Sequence, residues 1–170
     1  MQIMQHKRNI TLGEVYIVST PEIVWTVLGS CVAIVLYHPK LKKGAICHAQ
    51  LPHQLDKAAH CEKECPRKCN REKQNGVLLM KYLDCSFNFM IARINEMGLN
   101  TSELQAHLYG GGNSLSLVLQ GKTVGEQNIL LAKELLKKHH IEIVEQDVLG
   151  NLGRKIFFDF NSNKSTVHYL

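Results

Sequence analysis

No apolar stretch in this chain approaches the roughly 20 residues that a bilayer-spanning helix needs, so no membrane insertion is expected. The first ten residues, MQIMQHKRNI, lack both an apolar core and a small-residue cleavage site. No secretory leader is expected from them, and the expected location is the cytoplasm. A strong charge of one sign is also missing: 20 Lys and Arg stand against 15 Asp and Glu, a net charge of +5. The basic residues are scattered or mixed with acidic ones at 57–73. No basic-aromatic stripe is present, so no nucleic-acid partner is expected. A mildly cationic surface suits an acidic protein partner, although an ordinary solvated surface explains it equally simply. Internal repeats and low-complexity segments are absent, which excludes solenoids and disordered arrays.

What remains is the composition of a globular chain, 45% hydrophobic and 21% charged over 170 residues. That length fits one domain, 1–170, with enough volume to bury most of its apolar surface. Short strand patterns are expected at 14–19, 23–28, 32–37 and 44–51. A polar, cysteine-bearing loop follows at about 53–75. Its length marks it as functional or mobile rather than merely connecting. Apolar residues at spacings of three and four predict a helix over 77–97, ended by Gly98-Leu99-Asn100. A strand over 104–109 runs into Gly110-Gly111-Gly112, and a second amphipathic helix spans 125–139. Strands are expected at 141–147, 155–160 and 166–170. The class is α/β or α+β, with a mostly antiparallel sheet system and two main flanking helices.

Two residues carry the chemistry. Cys31, in TVLGSCVAIVLY, follows a Gly-Ser step and precedes an apolar run, which reads as a turn delivering a thiol at the mouth of a strand. His48, in GAICHAQLP, lies on the next strand, where it can face the thiol. A thiol attacks as thiolate, and a neighbouring imidazole is the usual means of making one at neutral pH. Taken alone, the pair also fits a buried small hydrophobe and a satisfied strand histidine.

The flanking residues resemble the chemoreceptor glutamine deamidase family, CheD. LGSCVAIVLY and KKGAICHAQLP match its Gly-Ser-Cys turn and His-x-x-Leu-Pro segment. HLYGGGNSL resembles its glycine-rich segment, and VGEQNILLAKELLKKHHIEIVEQDVLGNLGRKIFFD its Gly-x-x-Asn helix and Gly-Asn-x-Gly-Arg strand entry. The resemblance implies a layered β-sandwich with helices outside. It also implies a protein-glutamine glutaminase: Cys31 as nucleophile, His48 as base, and a thioester on the way from glutamine to glutamate in methyl-accepting chemotaxis receptors. That chemistry needs no cofactor. A CheC-type phosphatase is an implied partner. A receptor- or phosphatase-binding adaptor, or a metal- or redox-sensing module, is the alternative on the same fold.

In this family a threonine before the Cys turn is thought to orient the histidine, and Thr26 is the candidate here. Its other reading is an ordinary β-branched strand residue. Backbone N–H groups around Gly29, Ser30 and Cys31 are candidate oxyanion donors. Ser30 itself reads more simply as a turn former. The Gly110–Gly112 run lacks the Lys-Ser/Thr of a phosphate cradle and is expected to be a turn at the rim of the site. Asn113 and Arg154 are candidate substrate contacts, and Arg154 equally suits a carboxylate or a loop carbonyl. Cys47 is expected on the opposite strand face from His48, in the core.

One segment departs from the resemblance. HCEKECPRKCN places His60, Cys61, Cys65 and Cys69 in a C-x3-C-x3-C array, with Cys85 further on. In a cytoplasmic chain a disulfide framework is disfavoured, and these thiols suit a zinc site or an iron–sulfur cluster. Free or redox-active thiols are the alternative.

Overall fold

The computed structural model describes residues 7–53, 73–74, 77–78, 80–113, 118–119 and 121–170. Among the described residues, thirteen strands and two α-helices follow one another in the order β1 (Lys7–Asn9), β2 (Val15–Val18), β3 (Ile23–Leu28), β4 (Val32–His38), β5 (Lys43–Ala49), β6 (Lys73–Gln74), β7 (Val77–Leu78), α1 (Leu83–Glu96), β8 (Gln105–Gly110), β9 (Val118–Leu119), β10 (Lys122–Thr123), α2 (Val124–Lys138), β11 (Glu142–Val148), β12 (Arg154–Asp159) and β13 (Lys164–Tyr169). Two larger sheets form, ordered β1-β3-β12-β13 and β11-β8-β4-β5-β2. Their pairings are antiparallel except β1 with β3 and β8 with β11, which are parallel. This α+β sandwich agrees with the class read from the sequence.

The five-stranded sheet is the middle of three layers. One face, with Val32, Ile34, Leu36, Cys47 and Leu108, packs against Leu83, Phe87, Met90 and Ile94 of α1 and Ile129, Ala132 and Leu136 of α2. The other face, with Ala33, Val35, Tyr37, Ile46 and Tyr109, packs against Val24, Leu28, Ile156 and Phe158 of the four-stranded sheet. This explains the unbroken apolar run of β4, every residue of which is buried.

Helix α1 begins six residues later than its periodicity suggests. Met80 N–H donates to the Gly13 carbonyl at 2.6 Å, and Gln50 and Leu51 N–H both donate to the Lys81 carbonyl, so residues 80–82 are held extended beside the sheet. Val77–Leu78 instead pairs with Lys73–Gln74 in a short hairpin. Helix α1 ends as expected. Gly98 takes φ +74°, and Leu99 N–H returns to the Ile94 carbonyl at 3.2 Å. Helix α2 starts on a capping box, Thr123 with Glu126. The strand β1 and the β9–β10 hairpin have no counterpart in the sequence reading, since each element holds only two or three residues.

Candidate functional site

The chain crosses from one sheet of the sandwich to the other at Gly29-Ser30-Cys31, between β3 and β4. Three successive carbonyls of this turn are held from outside it. Gly29 C=O accepts from Gly112 N–H at 2.8 Å and Cys31 C=O from Gly111 N–H at 2.7 Å. Ser30 C=O accepts from the Asn128 side-chain Nδ2 at 3.0 Å. Gly110 has to be glycine: its φ is +103°, and a Cβ there would lie 2.2 Å from the Cys31 carbonyl oxygen. The glycine run is therefore a turn that seats the Cys31 backbone.

Register brings His48 to the same face. Ala33 pairs directly with His48 across β4 and β5. Cys31 lies two residues before Ala33, hence on the same side of the sheet, and it packs against the inter-sheet core. His48 is its diagonal cross-strand neighbour, at a Cα spacing of about 7–8 Å that side chains span.

Thr26 comes from the opposing sheet. Its Oγ1 lies 2.8 Å from His48 Nδ1 and donates to the Ile10 carbonyl at 2.7 Å. A threonine hydroxyl has one proton, so with that proton on Ile10 the oxygen accepts from Nδ1–H. The imidazole is thereby held in one tautomer. Its Nε2 is the unprotonated nitrogen, and it is buried with no partner among the described residues. Burial lowers the His48 pKa to about 4, with Glu14 opposing the shift. The Cys31 thiol is pushed up to about 11 by desolvation, opposed by its own backbone N–H. At neutral pH both groups are therefore uncharged: a thiol, and on the same sheet face an imidazole that holds a free lone pair.

The other candidates separate. Ser30 is buried, and its carbonyl belongs to the turn's anchorage. Asn113 is exposed and bridges two segments: its N–H donates to the Gly150 carbonyl at 2.8 Å, and its Oδ1 accepts from Thr123 Oγ1 at 2.9 Å. Arg154 is 2% exposed. Its guanidinium donates to the Asp147 carboxylate and carbonyl and to the Leu149 carbonyl. A cation enclosed in this way braces the β11–β12 turn through one carboxylate and two backbone carbonyls. Cys47 is fully buried in the layer facing the helices, as its alternation requires.

His60, Cys61, Cys65 and Cys69 lie outside the described residues. Cys85 is buried near the start of α1. Among the described residues no three Cys, His, Asp or Glu side chains converge on a metal position. None of the described helices is long and apolar enough to cross a membrane.

Sequence reasoning noted the Gly-x-x-Asn pattern and gave Asn128 no task. Its signal was nevertheless present. Asn128 falls midway between Val124 and Ala132 on the buried stripe of α2, where a polar side chain needs partners.

A thiol, a tautomerically fixed imidazole and a braced backbone turn together have the parts that acyl transfer at an amide requires. The chain belongs to the CheD family. The pattern of that family, CheD chemotactic sensory transduction, matches residues 65–169. Relatives agree over longer spans. A protein of Maridesulfovibrio salexigens named probable chemoreceptor glutamine deamidase CheD is 31% identical over 150 residues, covering 86% of this chain and 81% of its own length. A protein of the same name from Methanococcus maripaludis is 31% identical over 148 residues, covering 87% and 85%. A third, from Sulfurimonas denitrificans, is 28% identical over 165 residues, covering 96% and 94%. The family pattern covers the glycine turn, α2 and β12, which surround the Cys31 turn, while Cys31 and His48 precede it.

Proposed function

We propose that this chain is a chemoreceptor glutamine deamidase, an amidohydrolase converting receptor glutamine side chains to glutamate, with Cys31 as nucleophile and His48 as base. The observation that carries the mechanism is His48, its ring fixed by Thr26 on the face that Cys31 shares and its Nε2 without a partner among the described residues. The Cys31 thiol proton passes to Nε2 as Sγ attacks the carboxamide carbon. The oxyanion faces backbone N–H groups of the Gly29–Cys31 turn. Nε2 returns the proton to the departing nitrogen, ammonia leaves, and a thioester remains. Water gives a proton to Nε2 and attacks the thioester carbon. Collapse restores the thiol and releases glutamate.

Because both groups rest uncharged, the proton moves with the attack and no preformed ion pair is required. The test is mass spectrometry of a chemoreceptor cytoplasmic fragment incubated with the wild-type chain or with Cys31→Ala. Conversion of glutamine to glutamate by the wild type alone supports the reading. Equal conversion by both removes Cys31 from it, and no conversion by either favours a binding role. Docking to receptors or to a CheC-type phosphatase is independent of the thiol and survives in Cys31→Ala. Cytoplasmic location follows from such a substrate.

The C-x3-C-x3-C spacing supports a separate metal or redox role for Cys61, Cys65 and Cys69, with zinc or an iron–sulfur cluster as the bound group. Metal analysis of the purified chain and its Cys61→Ser variant tests it. Metal-free protein whose activity ignores chelator and mild oxidant ends that role.

A further inference from the structure

We propose that Asn128 is a positioning residue for deamidation, holding the Ser30–Cys31 peptide so that the Cys31 N–H points at the developing oxyanion. This rests on the Cys31–His48 reading above. Asn128 sits on α2 with 0% exposure. Its Nδ2 donates to two carbonyls, Ser30 and Gln50, each at 3.0 Å. Reversing the amide would set its oxygen against both carbonyl oxygens, so the orientation is determined by its acceptors. The Oδ1 is buried and has no partner among the described residues. A buried amide kept with one end unpaired marks a position where the two donors matter.

The place of these bonds is informative. The β4–β5 ladder stops at Val32 and Ala49. In the continuing register the next residues are Cys31 and Gln50, and Asn128 bridges the strands there through the Ser30 and Gln50 carbonyls. In a trans peptide the carbonyl and the following N–H point in opposite directions. Ser30 C=O is drawn toward α2, so Cys31 N–H is turned away from α2. Gly29 C=O is held by Gly112 N–H, which turns Ser30 N–H in the same manner. The helix cannot drift from this position. A Cβ on Gly125 would lie 2.4 Å from the Gly111 carbonyl oxygen, so α2 and the glycine turn meet backbone to backbone. One side chain thus couples the nucleophile turn to the end of the strand that carries the base.

The test compares wild type with Asn128→Leu, close in shape but without donors, and Asn128→Ala. Deamidation of the receptor fragment gives kcat and KM, and iodoacetamide alkylation across pH reports Cys31 reactivity separately. The expected result is a kcat fall of about 10²–10³-fold, with KM and the alkylation profile unchanged. Wild-type kcat in either folded variant, a loss confined to KM, or a matching loss of alkylation overturns the proposal. An active wild type with a silent Cys31→Ala secures the underlying reading in the same assay, whereas a silent wild type removes both. If neither variant folds, a wild-type crystal structure with a peptide aldehyde in place of the glutamine amide decides. The hemithioacetal oxygen within about 2.7–3.1 Å of Cys31 N supports the role, and an oxygen lodged elsewhere overturns it.

Discussion

Two histidines flank β4 on the same face of the middle sheet, His48 opposite Ala33 and His107 opposite Val35. They are 5% and 2% exposed. His107 has a partner at each nitrogen, Glu145 at 3.1 Å on Nδ1 and Asn163 at 2.9 Å on Nε2, and its ring meets Phe158 edge-on at 4.6 Å. His48 has Thr26 on Nδ1 and nothing on Nε2 among the described residues. Burial is therefore no guide to role. A histidine with both nitrogens engaged ties elements together, here β8, β11 and the turn before β13. A histidine with one nitrogen fixed and the other without a partner among the described residues, on the face that Cys31 shares, is the arrangement the proposed mechanism calls for.

The largest expected effect breaks this comparison directly. Replacing His48 with Ala lowers kcat for receptor deamidation by about 10²–10⁴-fold in a chain that still folds. His107→Ala has the opposite profile. It costs about 2–3 kcal/mol of stability by denaturant unfolding, and kcat per folded molecule stays near wild type. Comparable kcat losses in the two variants would erase the distinction.

The second expected effect is of pH on stability. Burial holds the folded pKa of His48 at about 4, below the ordinary histidine value of 6.5. Between those values the unfolded chain binds more protons than the folded one, so stability falls as pH drops through that window. The full difference is about 3 kcal/mol, and it is absent in His48→Gln. Urea midpoints of both chains at pH 7, 5.5 and 4.5 measure it. The kcat/KM profile should share the origin, with an acid limb near pH 4 and no inflection near 6.5.

A smaller effect comes from Thr26→Val, which keeps the side-chain shape and removes the hydroxyl. Nδ1–H loses its acceptor and the tautomer is no longer imposed. The expected fall in kcat is about 10–100-fold with KM unchanged, alongside about 1–3 kcal/mol for the lost buried bonds. A variant with unaltered kcat would return Thr26 to the status of an ordinary strand residue.

The smallest effect concerns a third histidine. His140 is exposed and ends α2 in the left-handed region, at φ +55°. The bond of Ile141 N–H to the Leu136 carbonyl, 3.0 Å, completes the same motif that Gly98 forms after α1. His140→Gly relieves the backbone cost and is expected to stabilise the chain by about 0.5–1 kcal/mol without altering activity. Thermal unfolding of the two chains checks it.

Much of this is legible in the sequence alone. The strand at Ile23–Leu28 was read with its observed bounds, and the ends of α2 and β4 came within a residue or two, because alternation, apolar runs and glycine stops are local signals. The Gly-Ser-Cys turn and the His-x-x-Leu-Pro segment were visible as motifs. The start of α1 was misplaced because three residues with helical spacing are held extended by bonds to Gly13, Gln50 and Leu51, which no local window contains. Arg154 is a candidate for a substrate contact or for holding a carboxylate or loop carbonyl, and the sequence does not choose between them. Its acceptors, Asp147 and Leu149, lie across a turn whose geometry appears only when folded.

The sequence by itself determined the class of fold, the family, and the residue types that can attack and carry a proton, since these follow from composition, periodicity and short-range motifs. The tertiary structure decided which nitrogen of His48 Thr26 engages, which buried histidine keeps a nitrogen without a partner among the described residues, and what holds the Cys31 turn. Those depend on Thr26 meeting His48 across two sheets, and on Asn128 reaching Ser30 from nearly 100 positions away in the chain. Hydrogen bonds of that range are set by packing of whole layers, and packing is the one property that a local pattern does not encode.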